Sequence, residues 1–430
     1  MTTLAAAVPP SSSPTSRYGS VHDVVDARAV VAVYQPLVDL VTGEVLGYEA
    51  LARGPRGTRW ESPDVLFDAA RAAGRLAELD WVCRAAAFRG ALDAGLPADL
   101  SLFVNTEPEA LGSPCPPDLL ELMGEAERSL RVVSEMTERA LTRDPAALLA
   151  AVERARAVGW GVAMDDVGVE PASLALMPFV HPDVVKLDMH LVQQPADDAT
   201  SATASAILAQ AERTGARVLA EGIETDLHRQ RALALGATMG QGWLFGRPGP
   251  LPRQLRRPRE VVRLLRPQPL PHGTTPFGLV AGRADVRTAS KKLLLPMSKH
   301  LERRAMTDGE PPVVLSTFQS REHFTARSAG RYARLTRRCA LVAALGVGIG
   351  TRPVGEVRGA EVAADDALAR EWDVVVVGPH YAAALLARDQ GDVGPDGARR
   401  FSFVVTHDRD LVLQAARALL LRVVATDAEG

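Results

Sequence analysis

What most constrains this chain is a recurrence. Between residues 28 and 250, short apolar runs alternate with Ala-, Leu- and Arg-rich stretches, and one run after another finishes on an acid. The runs are VVAVYQPLVDL, VLGYEALAR, LSLFVNT, LRVVSEMTE, WGVAMDDVG, VVKLDMHLV, ARVLAEGIE and TMGQGWLFG. Most are separated by stretches with helical spacing of apolar residues, such as ESPDVLFDAARAAGRLAELDWVCRAAAFRGAL and PAALLAAVERARAVG. Only VTGE parts the first two runs, a hairpin-like turn that makes this pair antiparallel. The others read as strand–helix units. Eight strands with intervening helices in roughly 220 residues predict an α/β fold, a TIM-like (β/α)8 barrel with an antiparallel first strand.

The remaining sequence divides around that barrel. Residues 1–25, rich in Ala, Pro, Ser and Thr, read as a disordered tail without the basic start and apolar core of a signal peptide. Residues 26–250 form the barrel domain, and 251–275, rich in Pro and Arg, read as a linker with one short helix. Residues 276–430 read as a smaller compact α/β domain, with buried β-branched strands such as WDVVVVGPH and covering helices such as RDLVLQAARALLLRV. No apolar run reaches the roughly 18 residues that cross a bilayer. A net charge of −3 gives no reason to expect a nucleic-acid polymer as partner. The three cysteines are scattered without a CxxC pair, which suits a reducing cytoplasm and excludes a disulfide framework.

The polar residues that close the strands carry the chemistry. They are Glu49, Asn105, Glu135, Asp165, Asp166, Lys186, Asp188, Glu221 and Gln241. In a strand–helix barrel the C-terminal strand ends converge on one mouth. A single acid there reads as solvated or helix-capping, but a series of them does not. The Asp165–Asp166 doublet is the hardest to read as structure, because adjacent like charges repel without a cation between them. Many carboxylates with one amide oxygen, and neither Cys nor His, form a hard-oxygen site that selects Mg²⁺ or Mn²⁺. So many acids point to more than one cation, the arrangement used for in-line displacement at a phosphodiester. The residue chemistry thus reaches metal-dependent phosphoryl transfer without naming a substrate.

The ordered set YQP, EALAR, the Asn of FVNTEP, EMTE, DD, KLD, EGIE and QGWLFGRP resembles the EAL family of cyclic di-GMP phosphodiesterases over residues 30–250. The resemblance implies hydrolysis of cyclic di-GMP to linear pGpG with two ions of Mg²⁺ or Mn²⁺. It implies that Glu49, Asn105, Glu135 and Asp165 hold the first metal, and that Asp166 and Asp188 hold the second or position water. It also implies that Lys186 and Glu221 handle the catalytic water, with Glu221 the general base. Gln35, Arg53 and Gln241 resemble substrate contacts, and Glu138 resembles an acid that steadies the loop after the aspartates.

That loop departs from the family pattern: DDVGVEPAS stands where DDFGTGYSS is typical, with Val167 for Phe and Glu170-Pro171 for Gly-Tyr. The family associates the loop with homodimerisation and second-metal occupancy. A catalytically weak barrel acting as a cyclic di-GMP receptor is therefore the alternative expectation. STFQSREHFTARSAGRYARLTRRC and EWDVVVVGPHYAAALLARD resemble the DICT domain, a sensory module. That resemblance implies an unidentified ligand or protein partner for residues 276–430 and regulation of the enzyme. GVGIG reads as a strand-ending turn, and His380 and His407 as structural residues.

Overall fold

In the computed structural model, which describes residues 17–110, 112–137, 142–168, 173–195, 197–266, 270–307 and 310–424, each of the eight apolar runs contributes a strand. They are β1 (Val31–Asp39), β2 (Val45–Arg53), β3 (Ser101–Thr106), β4 (Arg131–Thr137), β5 (Gly161–Val167), β6 (Val184–Leu187), β7 (Arg217–Ala220) and β8 (Met239–Gly240). In that order they close a barrel. Pairing is parallel between β2 and β3 and from β4 through β8. The first strand runs antiparallel to β8 through Val38↔Gly240 and Asp39↔Met239. The turn after β1 is closed by the Gly43 N–H on the Asp39 carbonyl at 2.8 Å and the Asp39 N–H on the Glu44 carbonyl at 2.9 Å. A closed barrel with an inverted entry strand is therefore what the alternation builds.

The helices of this part are α1 (Val21–Asp26), α2 (Pro63–Ala72), α3 (Leu76–Asp93), α4 (Leu120–Ser129), α5 (Pro145–Ala157), α6 (Ser173–Val180), α7 (Met189–Gln193), α8 (Asp198–Thr214) and α9 (Asp226–Ala234). Several boundaries differ from the sequence expectation. The long stretch after β2 makes two helices, because Gly74 takes a φ of 67° that ends the first. Residues 20–25, read from the sequence as part of a disordered tail, are folded. A capping box on Ser20 starts α1, and its Val21, Val24 and Val25 are buried beside Trp60. Residues 1–16 lie outside the described residues. The short helix expected within 251–275 is absent among the described residues. There Val262 is buried and the Leu265 N–H donates to the Asp183 carboxylate, so packing holds that segment non-helical.

The C-terminal elements are β9 (Arg287–Ser290), α10 (Lys291–Thr307), β10 (Val313–Ser320), α11 (Ala326–Leu335), β11 (Leu341–Val347), β12 (Arg358–Glu361), β13 (Val374–Val377), β14 (Ala382–Asp389), β15 (Arg400–Thr406) and α12 (Arg409–Leu420). Seven strands form one sheet in the order β12-β11-β10-β13-β14-β15-β9. Its core joins Leu294 and Leu301 of α10 and Tyr332 of α11 to Val314, Val376, Leu385 and Phe401 on the strands. The β14 segment, AAALLARD, has helix-forming composition, yet it pairs on both edges, with β13 and β15. Tertiary pairing overrides local propensity there.

Packing separates two compact units. One takes the described residues before Val38 with Val45–Val132 and Gly246–Val261; the other takes Val38–Glu44, Val133–Phe245 and the chain from Val262 onward. Within the second unit, the Arg358 guanidinium donates to the carbonyls of Thr142 and Arg143, each at 3.0 Å. Arg417 of α12 donates to the Phe179 carbonyl at 3.2 Å and pairs with Glu153 at 3.4 Å. Among the described residues, no helix is long and apolar enough to cross a membrane.

Candidate active site

Lys186 sits on β6 with 1 % of its surface exposed. A buried ammonium is stable only among partners that replace its water. Three carboxylates do so: Glu221 at 2.8 Å, Glu135 at 2.9 Å and Asp165 at 3.0 Å. They come from the ends of β4, β5 and β7, so parallel strand order brings together residues up to 86 positions apart. Glu135 is also 1 % exposed. One ammonium among three carboxylates leaves a formal charge of −2 when all three are ionised, an excess that a proton or a further cation would relieve.

The doublet is presented by a backbone irregularity. The β5–β6 register shifts between Met164 and Val167, and Asp166 takes a φ of 57°. The Asp166 N–H donates to Oδ1 of Asp165 at 3.0 Å. This bulge turns both side chains of the doublet toward Glu221, and the carboxylate oxygens of Asp165, Asp166 and Glu221 lie within 4.8 Å of one another. Glu221 leaves β7 with its N–H on the Leu187 carbonyl at 3.1 Å. Gly222 follows at a φ of 65°, where a Cβ would stand 2.5 Å from the Met189 Cβ. Asp188 caps α7: its Oδ1 accepts the His190 N–H at 2.8 Å and lies 2.6 Å from His190 Nδ1. The apolar run expected as strand to residue 192 therefore ends at Leu187, where this cap begins a helix.

In the other unit, the buried Glu49 accepts from the Asn105 amide at 3.1 Å. Beside Asn105 a cavity of about 520 Å³ opens against Arg53, Phe67, Asp80, Arg84 and Glu107. Arg53 donates to the Ala52 carbonyl at 2.7 Å, and Gln35 donates to the Gly246 carbonyl at 3.1 Å. In the unit of Lys186, Gln241 is 5 % exposed and tied through its backbone to Ala220 and Ile223, both at 2.9 Å. Glu138, and Val169 to Ala172 of the altered loop, lie outside the described residues.

The cavity wall holds residues that strand-end reasoning passed over. Asp80 and Arg84 are paired at 2.5 Å on α3 and almost fully buried, and Asp80 accepts the Glu107 N–H at 2.9 Å. The available signal was an acid and an arginine four residues apart inside the apolar run LAELDWVCR. Cys83 also lines this cavity, where burial pushes its thiol up, keeping it protonated and a poor nucleophile.

Comparison with known proteins places both parts of the chain among described families. Residues 280–390 match the DICT model, a sensory domain in diguanylate cyclases and two-component systems. The cyclic di-GMP phosphodiesterase RocR of Pseudomonas aeruginosa is 34% identical over 240 residues, covering 54% of this chain and 61% of RocR. The probable cyclic di-GMP phosphodiesterase PdeB of Escherichia coli is 29% identical, covering 55% of this chain and 46% of PdeB. The chain thus spans about half the length of the curated relatives it matches. A solved structure of the PaMucR phosphodiesterase with c-di-GMP aligns with 28% identity and a TM-score of 0.46, over 54% of this chain and 96% of that one. Residues 20–248, more than half of the 430, match the model of the EAL domain, and the chain belongs to that family.

Proposed function

We propose that this chain hydrolyses cyclic di-GMP to linear pGpG, using two ions of Mg²⁺ or Mn²⁺. The observation that carries the reading is the formal charge of −2 left around buried Lys186 by Glu135, Asp165 and Glu221. An all-oxygen donor set with excess negative charge fits a hard divalent cation. Glu49, Asn105, Glu135 and Asp165 would hold one ion, and Asp166 and Asp188 a second. Bound ions would supply Lewis acidity at the phosphoryl oxygens.

The chain's own groups do the rest. Lys186 fixes the Glu221 carboxylate, which accepts a proton of the attacking water as the water oxygen bonds to phosphorus and the P–O3′ bond breaks, the 3′ oxygen leaving and taking up a proton from solvent. Arg53, on the wall of the 520 Å³ cavity, together with Gln35 and Gln241, orients the dinucleotide. The DICT domain acts as a sensor for the barrel, the protein works in the cytoplasm, and a homodimer is its assembly. A cyclic di-GMP receptor is the second reading, favoured by Glu170-Pro171 in the altered loop.

The test is incubation of the full chain with cyclic di-GMP and Mg²⁺ or Mn²⁺, followed by chromatography of the products. Linear pGpG that disappears in Glu49→Ala supports hydrolysis. Binding of intact cyclic di-GMP with no product would overturn it in favour of the receptor.

A further inference from the structure

A cluster of cationic side chains lies elsewhere within the unit that holds Lys186. Between α6, α8 and α12 is a cavity of about 490 Å³. Arg213, Arg409 and Arg417 line it together with His181, against a single acid, Asp410. Arg409 spends one amino group on the Gly378 carbonyl at 2.9 Å, while its Nε is buried with no hydrogen-bond partner. The Nδ1 of His181 is likewise buried without a partner. His181 is also held at a φ of 52°, a strained backbone for a non-glycine residue. Among the described residues Arg213 hydrogen-bonds to neutral acceptors, Gln210 Oε1 at 3.1 Å and the Pro379 carbonyl at 3.4 Å. Arg417 is turned partly away, toward Glu153.

Asp410 faces both Arg213 and Arg409, Glu212 also acts on Arg213, and Glu153 pairs with Arg417, so the guanidinium groups outnumber the acids in the cavity wall and repel one another. The strain shows on Arg409, which burial and then the Arg213 charge press down to about 10. Pro178, Leu279 and Leu413 supply apolar wall, and the volume is that of a small-molecule pocket. Planar guanidinium forks are suited to bidentate capture of an oxyanion.

We propose that this cavity binds a small organic phosphate, its phosphoryl group between Arg213 and Arg409 and its apolar body against Leu279 and Leu413. Such a ligand would sit between α12 and α6, the helix that follows the Asp165–Asp166 bulge in sequence. The proposal does not depend on hydrolysis of cyclic di-GMP.

The probe is phenyl phosphate, added to the full chain in EDTA and followed by ³¹P line broadening, with benzoate as competitor. Saturable broadening is expected, weakened about tenfold in Arg213→Gln and in Arg409→Gln, as loss of one charge-assisted contact implies. Arg213 is exposed, so its variant carries the test if Arg409→Gln fails to fold. Absence of saturable broadening, or unchanged affinity in Arg213→Gln, overturns the site. Benzoate competing as strongly as phenyl phosphate overturns the assignment to phosphate.

Discussion

Lys186 on β6 and Glu221 just past β7 meet at 2.8 Å, and the same ammonium reaches Glu135 and Asp165. Removing it separates chemistry from packing. Lys186→Met is expected to lower kcat by about 10²–10⁴-fold, the scale of a lost proton-handling partner. It also leaves buried Glu135 without its cation, at a cost of about 3–5 kcal/mol. Steady-state kinetics and thermal unfolding without divalent ions check the two effects; an unchanged melting temperature would contradict the burial argument.

The excess of carboxylates around Lys186 predicts that divalent cations stabilise the fold. Mn²⁺ at about 100 times its Kd should stabilise the chain by about 2.7 kcal/mol, reversibly with EDTA. Asp165→Asn removes one charge from the cluster and should shrink that shift well below the wild-type value. Thermal unfolding at several Mn²⁺ concentrations gives the comparison, with Ca²⁺ and Mg²⁺ ranking the site's preference.

Asp166 holds a left-handed backbone at a φ of 57°. Asn tolerates this conformation nearly as well as Asp, whereas Ala meets a steric cost of roughly 1–2 kcal/mol. Asp166→Asn should therefore unfold within about 0.5 kcal/mol of wild type while losing its carboxylate, and Asp166→Ala should be less stable than either. Denaturant titration distinguishes strain from charge; equal stability of the two variants would remove strain from the account.

Asp373, fully buried in the C-terminal sheet, accepts from Thr317 Oγ1 at 3.1 Å and from the Ala387 N–H at 3.2 Å. Burial, and then the nearby Glu371, pushes its carboxyl well above 3.8. A folded value above the unfolded one means stability that is full below the unfolded value and is lost as pH rises through the folded one. Asp373→Asn should thus be more stable than wild type at pH 8, by on the order of 1 kcal/mol, with the gap closing as the pH is lowered. Unfolding midpoints at pH 8 and pH 5 measure this; a gap that widens toward acid would reverse the sign.

The parts legible in the sequence were those set by local pattern. Val45–Arg53 reads as a strand from its apolar run alone, and Glu49 stands out in it as an acid needing a reason. The same holds for Glu135 and Lys186, whose convergence follows once a barrel is inferred. What could not be read depends on partners distant in sequence. The Ala-rich β14 is a strand because β13 and β15 flank it, and Asp80–Arg84 looks like an ordinary helical pair until burial is known. Asp188 carries the same lesson: its neighbours MHLV are apolar enough for a strand, but its carboxylate starts a helix.

Glu371 has a consequence for where the C-terminal piece can be separated from the rest. It is fully buried and accepts from Thr275 Oγ1 at 2.6 Å, the Phe277 N–H at 2.9 Å and Arg388 at 2.9 Å. Two of those three donors precede residue 280, where the DICT match begins, and the match also stops at 390, ahead of β15 and α12. A fragment cut at those limits would leave Glu371 with Arg388 alone of its three donors, beside the buried Asp373, and would remove β15 and α12 from the sheet. The contacts that complete this sheet therefore begin upstream of residue 280 and run through Leu420, so the packed region encloses the recognisable match with room on both sides.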